Sequence, residues 1–432
     1  MKRTVTALSL AIPLVLSTVA CNVDSGGGGE SGAESAGKRG PITIWYSNNT
    51  EEVAWGKSVV EAWNSEHPDE KVTAQEIPAG KTAEESIGAS ITAGTSPCLV
   101  FNTAPAAVPQ FQKQGGLVAL DDFPDAREYI EERTGPTAEQ YRSPDGKYYQ
   151  LPWKSNPVVI FYNKKLFAKA GIDADNPPLS TYDEFLDTAR KVVKGGGAQY
   201  AILPSPSSEF FQTWFDFYPL LAAETDGKLL VEDGKATFAG DEGKRVAAFW
   251  KTLYDEGLAG REKYNGDAFA DGKAAMAIVG PWAIPVYGDK VEWGSVPVPT
   301  SEGKPVEEIH TFSDAKNVAM YTACENRGTA WELMKFATSE ERDGELLEGS
   351  GQMPLRADLE QTYPDYFDQN PDYRTFADLN SRTVEVPNVP NSIAIWQAVR
   401  DAYSTSVIFG KSDPDTALTE AAAKVDELAG QS

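Results

Sequence analysis

The stretch 42–77 constrains the fold more than any other part of this chain. Ile42-Thr43-Ile44-Trp45-Tyr46 is a β-branched and aromatic run that reads as a strand. Ser47-Asn48-Asn49-Thr50 follows as a polar loop and helix N-cap. The helix then carries Val53, Gly56, Val60 and Trp63 along one stripe and stops at His67-Pro68. Lys71 to Ile77 reads as a second strand. A chain that opens β-α-β commits to a parallel sheet with right-handed crossovers. Asn48 and Asn49 then stand where a strand ends and a helix begins.

The pattern recurs downstream. Cys98-Leu99-Val100-Phe101 is a buried strand followed at once by Asn102-Thr103. Trp153-Lys154-Ser155-Asn156-Pro157 precedes another strand, Val158 to Tyr162, and Asn163 to Phe167 opens a helix. Thr181-Tyr182-Asp183-Glu184 is a capping box whose helix ends at Gly195-Gly196-Gly197. In Phe269 to Trp282, Asp271-Gly272-Lys273 is a turn and Ala274 to Val279 an unbroken apolar strand that reads as buried on both faces. Gly280-Pro281 stops it, because Pro cannot donate to a ladder. Trp282 is the first side chain beyond that stop; it is either a ring facing a ligand or a core residue capped by the turn. Glu209 to Tyr218 is the most aromatic stretch, mostly core, with Trp214 and Phe215 the candidates for facing a cleft. Near the end, prolines hold a loop at Asn388 to Pro390, a helix carries Ile393, Trp396 and Val399 on one side, and Asp413-Pro414 caps the last helix.

With 432 residues the chain is too long for one ordinary core, so two lobes are expected. Its 39 basic and 64 acidic residues leave a net charge of −25, which repels nucleic acid and anionic lipid and favours a small ligand. Aromatics make up 10% of the chain, with ten Trp, more than packing usually requires.

The amino terminus reads as a targeting segment. Lys2 and Arg3 precede an apolar run, Ala7 to Leu16, too short to span a bilayer. Small residues then lead to a lone Cys21, as at a bacterial lipoprotein cleavage site, with ordinary secretion the alternative. Ser25 to Gly40 is a Gly/Ser-rich coil, and about 20 residues of it reach roughly 25 Å. The expectation is a signal peptide over 1–20, lipid on Cys21 and a tether over 21–40. Cys98 and Cys324 remain, as a disulfide or as two buried thiols, and their spacing does not choose.

Catalytic motifs are weak. His67 and His310, the only two histidines, both sit in polar loops. Gly80-Lys81-Thr82 resembles the end of a P-loop but has Gln75 where its first Gly should be. Gly27, Gly29 and Gly32 spell a dinucleotide fingerprint inside the coil, with no strand before it. No Cys/His spacing supports zinc, and Asp173 to Asn176 lacks the Gly and distal Glu of a calcium loop. No cofactor is expected. A secreted glycoside hydrolase with paired carboxylates is the competing reading; with this many acidic residues some pair will always look suitable.

Three pieces together resemble a known family. They are Tyr162-Asn163-Lys164-Lys165-Leu166-Phe167 with Thr181 to Phe185; Phe269 to Met276 running into Gly280-Pro281-Trp282; and Pro387-Asn388-Val389-Pro390 with Trp396 and Arg400. In this order they resemble the extracellular solute-binding proteins of the maltose-binding class, lipoprotein components of ABC sugar importers, over nearly all of Pro41 to Ala429. The resemblance implies an α/β, type II-like periplasmic-binding-protein fold of two lobes with a hinge and a ligand cleft between them. We expect lobe 1 over 41–155 and 313–355, and lobe 2 over 156–312 and 356–432. It implies stacking roles for Trp282 and Trp396 and hydrogen-bonding roles for Asn48, Asn49, Asn102 and Thr103. Asn156 and Asn102 stand where the family's maltose binder has charged groups, which counts against maltose itself. Asp314, in the segment returning to the first lobe, completes the expected site. The implied partners are a di- or oligosaccharide and the integral permease of an importer, met by a monomer anchored outside the membrane.

Overall fold

The computed structural model describes residues 36–47, 50–79, 82–206 and 215–430. Its strands, in chain order, are β1 (Ile42–Tyr46), β2 (Val72–Glu76), β3 (Leu99–Thr103), β4 (Leu151–Lys154), β5 (Val159–Asn163), β6 (Tyr200–Ile202), β7 (Val231–Glu232), β8 (Lys235–Ala236), β9 (Ala274–Val279), β10 (Trp293–Val296), β11 (Thr311–Phe312), β12 (Lys316–Met320) and β13 (Thr383–Val384). A five-stranded sheet runs β2-β1-β3-β12-β4, and a four-stranded sheet runs β10-β5-β9-β6.

The opening β-α-β unit forms as read. β1 pairs in parallel with both β2 and β3, and the helix Thr50–Glu66 crosses between β1 and β2. Its buried side is Glu52, Trp55, Gly56, Val59 and Trp63, while Val53 and Val60 pack only partly against the core. The expected stripe is therefore rotated, because a buried Glu gives no hydropathy signal. The late strand β12 inserts antiparallel between β3 and β4, so residues far apart in sequence share one sheet.

In the second sheet β5 runs antiparallel to β9 and β10, and β6 runs parallel to β9. β9 is buried at Ala274, Ala275 and Met276 and half-buried from Ala277 to Val279, so it is not covered on both faces throughout. Gly272 holds φ 65° in the turn before it, a conformation that costs Gly no Cβ clash. The capping box of Thr181 and Glu184 is complete, Gly197 ends that helix in the left-handed conformation, and Asp413 caps the helix Pro414–Ala429.

The chain passes between the sheets at 154–159, at 312–316 and after Ser350. These passages are stitched together: Pro157 bridges Ser313, Lys154 bridges Pro354, and β11 lies parallel to β13. Arg133 fastens them from the first side. Its buried guanidinium donates to the carbonyls of Pro152 at 2.6 Å, Leu355 at 2.8 Å and Trp153 at 3.1 Å, and it pairs with Asp343 at 2.7 Å. A fully desolvated charge needs this many partners to be tolerated. Cys98, just before β3, is disulfide-bonded to Cys324, just after β12, which decides between the two arrangements the sequence allowed.

Candidate functional site

A cavity of about 730 Å³ opens between the two sheets beside the passages that join them. Its first-sheet side is a polar platform built on Glu52. The Lys154 ammonium is ion-paired with Glu52 and donates to Gln352 Oε1 at 2.6 Å. Gln352 Nε2 donates back to Glu52 Oε1 at 2.8 Å, and the Ser47 hydroxyl donates to Glu52 Oε2 at 2.7 Å. Asn102 Nδ2 also donates to Glu52. Asn102, next to last in β3, holds φ 71°, a left-handed conformation that Asn tolerates better than most residues.

Burial pushes the Glu52 carboxyl upward, but the Lys154 charge and the hydrogen bonds from Lys154, Asn102 and Ser47 outweigh it and hold the group at about 2. Burial pulls the Lys154 ammonium below its usual value, against the attraction of Glu52.

The second-sheet side is aromatic. The Phe215 ring meets the Trp282 ring edge-on at 6.0 Å and the Phe312 ring at 5.9 Å. Trp282 is placed by the Gly280-Pro281 stop after β9 and is only half-buried. At the hinge, Asn156 Nδ2 donates to the Asp314 carbonyl at 3.2 Å, and the Asp314 carboxylate pairs with Lys316 at 2.6 Å.

Five of the residues expected from sequence therefore line one cavity: Asn102, Asn156, Phe215, Trp282 and Asp314. Thr103 does not. Successive strand residues face opposite ways, and the Thr103 hydroxyl is buried against Tyr321 OH at 3.2 Å and the Val100 carbonyl at 3.1 Å. Trp396 does not line the cavity either; it is 2% exposed, packed in the core beside Ile395 and Val399. Asn48, Asn49, Trp214 and Cys21 lie outside the described residues.

Sequence reading missed Glu52, Lys154, Gln352, Lys316, Glu385 and Phe312 as cavity residues. A lone Lys closing the apolar strand of Leu151 to Trp153 was a usable signal. Glu52 was not, since an acid in a first helical turn is ordinary. The cavity is charged after all, but through Glu52, Lys154, Asp314 and Lys316 rather than at Asn102 and Asn156. Among the described residues no group of three or more His, Cys, Asp or Glu side chains is placed to hold a metal ion. His67 stacks on Trp63 at 4.0 Å and His310 contacts the Glu308 carbonyl at 3.2 Å; neither lines the cavity.

Such a site suits a ligand with a flat apolar face and several hydroxyls. Rings cover the face by dispersion and area burial. Planar amides and carboxylates match the hydroxyls as fixed donors and acceptors.

Residues 46–342 match the family described as bacterial extracellular solute-binding protein. The chain is 25% identical to the diacetylchitobiose binding protein DasA of Streptomyces coelicolor over 440 residues, covering 96% of each protein. It is 25% identical to the galactooligosaccharide-binding protein of Bacillus subtilis over 431 residues, 98% of this chain and 96% of that one. Its fold is similar to the crystal structure of the cyclic alpha-maltosyl-1,6-maltose binding protein from Arthrobacter globiformis. There the TM-score is 0.77 at 21% identity, over 91% of this chain and 100% of that one.

Proposed function

The chain belongs to the bacterial extracellular solute-binding proteins, and from that premise we propose that it captures a di- or oligosaccharide between its lobes and delivers it to the permease of an ABC importer. The observation that carries this reading is one cavity with the Phe215, Trp282 and Phe312 rings on one side and the Glu52–Lys154–Gln352–Asn102 network on the other. The relatives named for diacetylchitobiose and galactooligosaccharides support a sugar of more than one ring. We take the lobes as 41–155 with 313–355, and 156–312 with 356–432. Closure of the two on the ligand is a hinge motion at the three passages.

The protein acts as a receptor, without turnover, and works as a monomer tethered outside the membrane by lipid on Cys21. The contacts of Asn48, Asn49 and Trp214 with ligand belong to the same proposal. Against the hydrolase reading, the sugar-named relatives are named as binding proteins, and Glu52 and Asp314 are each committed to a lysine in the cavity.

A thermal-shift panel of neutral di- and oligosaccharides tests the reading. A sugar at 100 times its dissociation constant adds about 2.7 kcal/mol to stability. The bound sugar must also be recovered intact; release of reducing ends in proportion to protein would end the receptor reading, and a panel with no shift at all would end the sugar reading.

A further inference from the structure

The polar groups of the cavity divide into two kinds. The Glu52 platform is satisfied from within the protein, each member bonded to another. The hinge is different. Glu385 is 2% exposed and lines the cavity, yet its Oε1 has no hydrogen-bond partner. Asn156, 3% exposed and in the same cavity, has an equally unpartnered Oδ1. Buried polar atoms are nearly always paired, and an orphan in a native structure calls for a reason.

Asn156 stands on one passage of the hinge, and Glu385 directly follows β13, which lies against the passage at 312–316. The Asp314 N–H donates to the Asn156 carbonyl at 3.1 Å, and the neighbouring Ser313 N–H donates to the Val384 carbonyl at 3.0 Å. The backbone fixes Glu385 without help from its side chain: its N–H donates to Gln140 Oε1 at 3.0 Å and its carbonyl accepts from the Tyr218 hydroxyl at 2.6 Å. The Val386 and Ala315 N–H groups reach the carboxyl, and its Oε1 is left unspent on the fold.

We propose that Glu385 is a ligand-binding residue which, with Asn156, receives two donors of the bound sugar, hydroxyl or amide N–H, and selects for sugars that present both at the hinge. This rests on the sugar-binding reading. A sugar lacking either donor leaves a buried acceptor unpaired, and sites built on such acceptors discriminate strongly.

The surroundings agree. Asp314, Lys316, Tyr141 and Tyr218 are the titratable groups acting on or against Glu385. Burial drives its carboxyl well above the usual range; Lys316 and the Val386 and Ala315 N–H groups only partly offset this, and Asp314 adds to it. A folded-state value above the unfolded one means that Glu385 costs stability as pH rises past the ordinary carboxylate range. Stability given up at one residue in a binding cleft is characteristic of function.

The test uses the full chain as wild type, Glu385→Gln and Glu385→Leu, with maltotriose and diacetylchitobiose as probes. Melting is recorded at pH 5.5 and pH 8 without sugar, and affinity is measured by calorimetry. We expect both variants to melt at or above wild type at pH 8, and Glu385→Leu to weaken any bound probe at least tenfold. A variant that melts below wild type at pH 8 makes the carboxyl a structural partner and overturns the inference, whether or not a sugar binds. Unchanged affinity for a bound probe also overturns it. If neither probe binds wild type while the variants melt higher, the choice of sugar fails, and the orphan carboxyl is upheld as a site group.

Discussion

The Trp282 indole folds back over Gly280, so closely that a Cβ built on Gly280 would stand 1.9 Å from the ring. Gly280 is therefore required by the aromatic wall as well as by the strand stop. Gly280→Ala should displace the indole and weaken sugar binding, although the added methyl touches no ligand. Trp282→Ala removes the ring outright and should cost on the order of 1–3 kcal/mol of binding, by analogy with aromatic stacking on bases. Calorimetric titration of both variants checks this; full affinity in Gly280→Ala would show that the indole position is not what the site needs.

Trp396 should behave in the opposite way. It is a core ring in the helix Ser392–Tyr403, so Trp396→Ala leaves a cavity and costs roughly 3–5 kcal/mol of stability. Affinity in the folded fraction should hold. Unfolding and binding measured on the same samples separate the two tryptophans, and a Trp396 variant that folds well but fails to bind would return this residue to the site.

The Glu52–Lys154 pair predicts a reversed pH dependence. In wild type the Glu52 carboxyl, held at about 2 against an ordinary 4.5, contributes stability above its unfolded value that is lost as pH falls toward 2. Lys154→Met leaves Glu52 buried without its cation, at a cost of about 3–5 kcal/mol at neutral pH. Burial then raises Glu52, so the variant should become less stable as pH rises from 3 to 7, opposite in sign to this pair's effect in wild type. Glu52→Gln added to Lys154→Met should recover most of the loss. Urea unfolding across that range decides; parallel pH profiles would refute the coupling.

The Cys98–Cys324 disulfide joins the ends of β3 and β12 across 226 residues of sequence. Replacing both cysteines by Ser should lower stability by about 2–5 kcal/mol and leave affinity in the folded protein unchanged, since the bond lies outside the cavity lining. Denaturation with and without reductant is the measurement, and an unmoved midpoint would contradict it.

Attachment is tested at Cys21. Cys21→Ala should free the protein from membranes with sugar affinity intact; a variant still membrane-bound in high salt would rule out Cys21 as the anchor.

Local chemistry was legible in the residues themselves. The β-branched run of β1, the capping box of Thr181 and Glu184, the turn at Gly272 and the stop at Gly280-Pro281 each act through near neighbours, so spacing alone reveals them. Asn102 was also readable, as a polar residue ending an apolar strand. What the sequence by itself could not decide was everything set by distance in space. Thr103 and Trp396 carry the right chemistry but face the core, because pleat and helix phase, not residue type, choose the direction. Glu52, Lys154 and Gln352 form one platform from three segments, and Asn156, Asp314 and Glu385 gather at one hinge. The Cys98–Cys324 bond belongs to the same class. Only the insertion of β12 between β3 and β4, and the stitching of the passages beside it, brings such groups within hydrogen-bonding reach.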